Sequence, residues 1–424
     1  MIKKYFKNEL FIASMILMIL MNLANIINYF FHFIMARMLG PSDYAVLAVL
    51  TSIIYIFSVP TSSIQTLISK KTTSLLVKRE FGKIKGIFKS GMKEGFFISL
   101  VFFILFLAVS FFLSPSLKIS FWLLAITGVF IFTSFILPVG TGILQGMKKF
   151  SSWGWNTILN STAKIILAVL LVFIGFGVYG PMLGFVFGAF ISLIFIFPSI
   201  KEITSSKEKN EKIHILSMKN FSTVFSILII TLMYSLDIIF AKAFFSSEIA
   251  GIYSVASMIG KMIFFGTSTI MGAMFPISSE KFSREGRKEA RKIMKKSFIL
   301  ICSLCFIAIA LLYLFPERII SLLFGKSYIE STGIVLYLAI AYSFISLINS
   351  LILYKISIEE FKIRHSLILG GLLVIQLAFF IVAKDSIKFF SFAFMSSTII
   401  SFLICLILMK KWRKSEENQK KKQK

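Results

Sequence analysis

The 424-residue chain is 57% hydrophobic, holds 49 phenylalanines and only 15% charged residues, and yet has a formal net charge of +27. That composition excludes a soluble globular protein. It also excludes a transmembrane barrel, whose strands alternate polar and apolar residues, because runs such as FFISLVFFILFLAVSFFL (96–113) do not alternate.

Twelve apolar runs have the length that an α-helix needs to cross a hydrocarbon core of ~30 Å. They are predicted at 10–38, 43–69, 94–113, 119–146, 153–176, 180–200, 221–245, 249–278, 298–315, 331–357, 366–383 and 389–409. The N-terminal MIKKYFK is basic, but the apolar stretch after it is longer than a signal-peptide core, so the first span is expected to stay in the mature protein. The third and ninth spans are almost wholly apolar and are expected to face lipid.

The charge resides in the loops. The N-terminus, the even-numbered connections with Lys355, and the tail from Lys410 hold 37 of the 46 Lys and Arg, against five on the opposite side: Lys118, Arg318, Lys326, Lys384 and Lys388. By the positive-inside rule both termini are expected in the cytoplasm, in a cytoplasmic (inner or plasma) membrane, and the asymmetry accounts for the net charge with no nucleic-acid partner. The basic loops 70–93 and 279–297 have apolar residues spaced among their lysines and read as amphipathic helices on a surface of anionic membrane lipids. The polar tail 411–424 reads as disordered.

Cys302 and Cys305 form a CxxC inside an apolar span, where packing is the expected role, and Cys405 stands alone. His214 and His365 fall in cytoplasmic loops, and the four tryptophans lie near span ends, where aromatic anchors belong. No cofactor or metal motif is present, and no GxxxxGK[ST] phosphate loop.

Sliding the chain on itself by 205 residues aligns NYFFHFIMARMLGPSDYA (28–45) with MYSLDIIFAKAFFSSEIA (233–250). Tyr29 meets Tyr234, Ala36 meets Ala241, Ser42 meets Ser247, Arg37 meets Lys242 and Asp43 meets Glu248. The same shift carries the first two spans onto the seventh and eighth. The expected architecture is all-α and integral to the membrane: twelve transmembrane helices in two pseudo-symmetric six-helix lobes, 1–210 and 211–410. An even number of helices per lobe gives both the same orientation, about an axis along the membrane normal, as in secondary transporters whose site lies between the halves.

Polar residues form stripes on six repeat-related spans, among them Asn22, Asn25, Tyr29 and His32 on the first, and Ser254, Ser257, Lys261 and Ser268 on the eighth. Helix glue explains any one of them; six stripes together predict a hydrated cavity. Charges within spans sharpen this. Lys164 shares a face with Asn156 and Asn160, and Lys261 lies midway along the eighth span, each costing about 2.5–3.5 kcal/mol to insert unless it faces water or a counter-charge. Arg37 and Lys242 lie near the outer ends, within snorkelling reach. Against these four cations stands one intramembrane acid, Asp237, expected to act as a counter-charge before any ion-coupling role. The predicted substrate-binding set is Lys261, Lys164, Arg37, Lys242, Asn160, Asn25 and His32, and its sign suits a phosphate.

RMLGPSDYA resembles the turn after the first helix in the oligosaccharide-lipid and polysaccharide flippases of the multidrug/oligosaccharidyl-lipid/polysaccharide (MOP) exporter superfamily, matching at Arg37, Leu39, Gly40, Pro41 and Tyr44, with Ala45 where that pattern has Gly. LQGMKKF (144–150), AGIYSVA (250–256) and LLFGKSY (322–328) are similar to later segments of the same family. The resemblance implies a MOP/MATE-like fold and the flipping of a polyprenyl-pyrophosphate-linked oligosaccharide, with glycosyltransferase or polymerase partners. The peptidoglycan-precursor branch has two further C-terminal helices, so the resemblance points away from that substrate. A drug or cation antiporter of the same superfamily would need intramembrane carboxylates, and one acid against four bases argues against it. A membrane glycosyltransferase or ligase would need an acid-base constellation in a substantial external loop, which the chain does not offer.

Overall fold

The computed structural model describes residues 2–215, 221–358, 361 and 363–422, with the side chains of 2–14, 221 and 409–422 outside the described set. Contacts divide the chain into two compact units, Met1–Val224 and Phe225–Lys424.

The first unit opens with α1 (Ile2–Phe57), drawn as one helix but broken at Gly40, where φ is 73° and ψ 175°. The break divides it into a first span and the start of a second, which continues through Ser58 into α2 (Val59–Val77). Then follow α3 (Phe81–Leu117), α4 (Phe121–Gly146), α5 (Phe150–Phe173), α6 (Tyr179–Ser199) and the short α7 (Lys201–Thr204). α5 packs on α1 and α6, and α4 on α2, α3 and α6. Glycines set the closest approach. A Cβ at Gly184 would lie 2.7 Å from the Lys164 carbonyl oxygen, and one at Gly188 would lie 3.0 Å from that of Asn160, so α6 closes directly on the α5 backbone. Asn156 and Ser192 lock the same interface with two reciprocal 2.7 Å hydrogen bonds.

The second unit begins within α8 (Phe221–Phe244) and contains α9 (Ser247–Glu285), α10 (Arg287–Leu314), α11 (Pro316–Leu323), a 3-10 turn (Lys326–Ser331), α12 (Thr332–Ser357), α13 (Ile363–Val382) and α14 (Ile387–Lys422). α9 packs on α10 and α12, and α12 on α14. α13 joins α8 through Ser226 and Ser366, whose hydroxyl oxygens lie 2.9 Å apart. α14 is helical to Lys422, where the sequence predicts disorder for the tail.

Among the described residues, eleven helical stretches are long and apolar enough to cross a membrane, and the first, Met15–Val77, contains the break at Gly40. The chain is an all-α, multi-pass membrane protein. α3 and α10 show the most exposed apolar surface, including Phe97, Phe111 and Phe112 on one and Phe306 and Leu314 on the other, the surface that lipid solvates.

One expectation changes form. The basic segments 70–93 and 279–297 are helical, but they continue the spanning helices across tight turns. Arg79 (φ 55°) separates α2 from α3, and Gly286 (φ 83°) separates α9 from α10. They are not separate helices. Their apolar residues continue the buried faces of the spans, as at Ile84, Ile87 and Phe88 on α3.

Candidate functional site

In the first unit the central feature is Lys164 on α5, 6% exposed. Its Nζ donates to Asn28 Oδ1 at 2.5 Å and lies over two aromatic faces, 4.5 Å from the Phe31 ring centroid and 4.4 Å from that of Phe185. α1 supplies Asn28 and Phe31, one turn apart, and α6 supplies Phe185, brought in by the glycine-mediated closure on α5. Every one of these groups is neutral. The rings offer their negative faces to the ammonium, each worth roughly 0.5–2 kcal/mol, and no carboxylate pairs with it among the described residues. Asn160 is half-buried one turn away on the same helix face. His32 is buried, edge-on to Phe31, with its Nδ1 3.4 Å from the Tyr44 hydroxyl across the Gly40 break. Asn25 and Arg37 are exposed on α1.

In the second unit Asp237 on α8 is fully buried. Its Oδ2 is approached by three hydroxyls: Ser257 Oγ at 2.6 Å, Tyr342 OH at 2.9 Å and Tyr253 OH at 3.3 Å. The Tyr342 hydroxyl also lies 3.1 Å from the Tyr234 carbonyl, so its single proton is shared between two acceptors. Among the described residues Asp237 Oδ1 has no hydrogen-bond partner, nor do Ser235 Oγ and Gln376 Oε1. Gln376 Nε2 donates to the Met233 carbonyl at 2.9 Å, placing its side chain beside the same stretch of α8.

Lys261, 1% exposed on α9 one turn beyond Ser257, lies within electrostatic reach of Asp237. Lys242 is also buried, and its Nζ donates to Ser247 Oγ at 2.9 Å across the α8–α9 turn. A buried carboxylate needs hydrogen-bond donors, and at Oδ2 the three hydroxyls supply them.

Several residues of the polar stripes bond within their own lobe. Gln65 and Gln145 bond each other at 3.1 Å, and Thr127, Ser134, Thr141 and Ser346 donate to carbonyls of their own helices. Cys302 is half-buried and Cys305 and Cys405 are buried, all as free thiols. Among the described residues no three His, Cys, Asp or Glu side chains converge as a metal site would need.

The family model described as polysaccharide biosynthesis protein matches residues 34–333. The chain belongs to the polysaccharide biosynthesis protein family. No curated protein matches it in sequence. Among solved structures it is similar to an inward-facing multidrug resistance MATE family transporter of the MOP superfamily, at TM-score 0.69 and 14% identity over 92% of this chain and 96% of that one. It is equally similar to the lipid II flippase MurJ in an inward closed conformation, at TM-score 0.69 and 16% identity over 93% and 87%. A third is a MOP superfamily transporter from Pyrococcus furiosus, for which reverse polarity of the binding pocket suggests a different function, at TM-score 0.59 and 14% identity over 94% of each chain. At these identities the likeness establishes the MOP transporter fold. For this member of the polysaccharide biosynthesis family, the lysine cage and the aspartate cluster are then the features that need a function.

Proposed function

We propose that this protein flips a polyprenyl-pyrophosphate-linked oligosaccharide from the cytoplasmic to the external leaflet, by alternating access of its two lobes, in a cytoplasmic membrane with both termini inside. Family membership and the MOP fold support a transporter in polysaccharide biosynthesis, and the distribution of Lys and Arg supports the orientation.

The observation that carries the substrate class is Lys164. A lysine held inside a membrane protein by an amide oxygen and two phenylalanine faces has donors and cation-π contacts but, among the described residues, no compensating charge. A pyrophosphate supplies that charge. Its oxygens accept from an ammonium more strongly than a neutral amide does, because both partners are ionised. In this reading Lys164 and Lys261 recognise the head group, and Arg37 and Lys242 form an outer cationic station. Asn25, His32 and Asn160 supply neutral polar contacts, and Asp237 serves as a counter-charge to Lys261. Glycosyltransferases that build the oligosaccharide and a polymerase that extends it are the corresponding partners.

Complementation of a null strain tests this, with surface polysaccharide measured at matched protein levels. A charge-assisted hydrogen bond contributes roughly 1.5–3 kcal/mol, about tenfold or more in rate. Lys164→Ala and Lys261→Ala should each lower export accordingly, and Lys164→Arg should retain part of it. Normal export from the double alanine variant removes both lysines from substrate recognition.

A further inference from the structure

The chain leaving α7 does not cross the cytoplasmic side as a free loop. Residues 205–215 run extended along the first turns of α3. The Lys209 amide donates to the Gly82 carbonyl at 3.0 Å, Ile213 N lies 3.3 Å from Ser90 Oγ, and Ile215 N lies 3.0 Å from Glu94 Oε1. Six residues of extended chain cover roughly 20 Å and the helix from Gly82 to Glu94 rises roughly 18 Å, so segment and helix stay in register.

The face of α3 that receives the segment is cut away. A Cβ at Gly82 would collide with the Lys207 carbonyl oxygen, and one at Gly86 with the carbonyl of Lys209 and, at 2.9 Å, the amide of Glu211. Farther along, Ile213 and Ile215 are buried, with methyls 3.6 Å from where Cβ atoms of Gly91 and Gly95 would stand, while His214 between them is exposed. Three lysines bind the segment directly. Lys85 Nζ donates to the carbonyls of Thr204 and Ser206 at 2.5 and 2.9 Å, Lys71 Nζ to that of Lys212 at 3.1 Å, and Lys89 pairs with Glu208. Topology alone asks for cytoplasmic lysines; it does not ask that they converge on the carbonyls of one segment above a row of glycines.

We propose that residues 205–215 are a fixed strap: the connection to the second lobe is fastened to α3 and travels with the first lobe as one body throughout the transport cycle. A latch that released in each cycle would have to expose Ile213 and Ile215 and leave the Lys85 contacts and the Lys89–Glu208 pair unmade each time. The proposal goes beyond the flippase reading, on which only its transport readout rests.

Two experiments test it on the full-length chain. In a variant with Cys302, Cys305 and Cys405 replaced by Ala, Lys89→Cys and Glu208→Cys are joined by a short membrane-permeant bis-maleimide. Export should continue at the level of the same variant capped with a mono-maleimide. Loss of export on joining alone would show that the strap must release, and would overturn the proposal. Separately, Gly86→Leu should open the strap in detergent micelles, so that trypsin cuts after Lys207, Lys209 or Lys212 about tenfold faster, as when the opening free energy falls by about 1.4 kcal/mol. Export should fall with it. Unchanged cleavage, or full export with an open strap, would also overturn it. Should Gly86→Leu fail to accumulate, Lys89→Glu replaces it, with cleavage slowed again when Glu208→Gln is added and removes the repulsion. A wild-type chain that restores no export would refute the flippase reading and leave the tryptic comparison to judge docking.

Discussion

Lys164 and Asn28 meet at 2.5 Å between α5 and α1, an ammonium against an amide oxygen with no acid beside them among the described residues. Such an arrangement is poor for stability, because burying a charge without a counter-charge costs several kcal/mol that neutral partners recover only in part. Lys164→Met should therefore leave the thermal midpoint of the purified protein unchanged or raise it, while export falls about tenfold or more. A midpoint lowered together with export would make Lys164 a structural residue.

The aspartate cluster should behave in the opposite way. Asp237→Leu strands the Tyr253 hydroxyl, leaves the Ser257 and Tyr342 hydroxyls with only each other and the Tyr234 carbonyl, and removes the carboxylate within electrostatic reach of Lys261. Removing one member of a buried pair costs roughly 3–5 kcal/mol, so thermal stability in detergent should drop sharply. Adding Lys261→Met should recover a substantial part of it. Additive losses in the double variant would show that the two residues are not coupled.

Hydropathy and charge made the membrane class, the helical spans and the exposed faces of α3 and α10 legible, because lipid imposes a length and a composition on any helix that crosses it. The lysine cage was only half legible. Asn28 falls on the same helical face as Asn25 and His32 and could have been read from spacing. Phe31 and Phe185 could not, since 49 phenylalanines serve lipid contact, packing and cation-π contact alike, and only the approach of α6 to α5 distinguishes them. The strap was hidden for a related reason. Its sequence is that of a polar loop, and its binding face is a row of missing side chains on α3. The polar stripes are ambiguous in sequence because a hydroxyl on any helix face can bond its own helix, as Thr127, Thr141 and Ser346 do.

The cage depends on α6 lying close to α5. Gly184→Ala places a Cβ 2.7 Å from the Lys164 carbonyl oxygen, a backbone atom that cannot rotate away, so the helices must part and carry Phe185 off the ammonium. Overpacking of this kind costs about 1–3 kcal/mol, and both the thermal midpoint and export should fall. Gly266→Ala is the matched control. That glycine is also inside a helix, α9, but nothing lies within 4 Å of its Cβ position, and alanine there should be neutral or stabilising by about 0.5–1 kcal/mol. Equal effects at the two positions would show that close packing at Gly184 is not what matters.

Gly40 separates two helices that would otherwise run on as one. Its φ of 73° with ψ of 175° lies in a region that only glycine occupies without strain, and Pro41 next to it removes an amide that a continuous helix would use. Nothing lies within 4 Å of a Cβ built there, so substitution acts through the backbone alone. Gly40→Ala should cost about 1–3 kcal/mol, and the added strain favours an extended residue 40 of negative φ, the geometry that a residue before proline prefers, over the present bend. A changed bend would pull Tyr44 from His32, on opposite sides of the break. The variant should consequently lose export by more than its loss of thermal stability accounts for. The measurement is export and thermal midpoint for Gly40→Ala beside Tyr44→Phe, which removes only the hydroxyl contact. A Gly40→Ala protein with native export would show that the bend contributes nothing to transport.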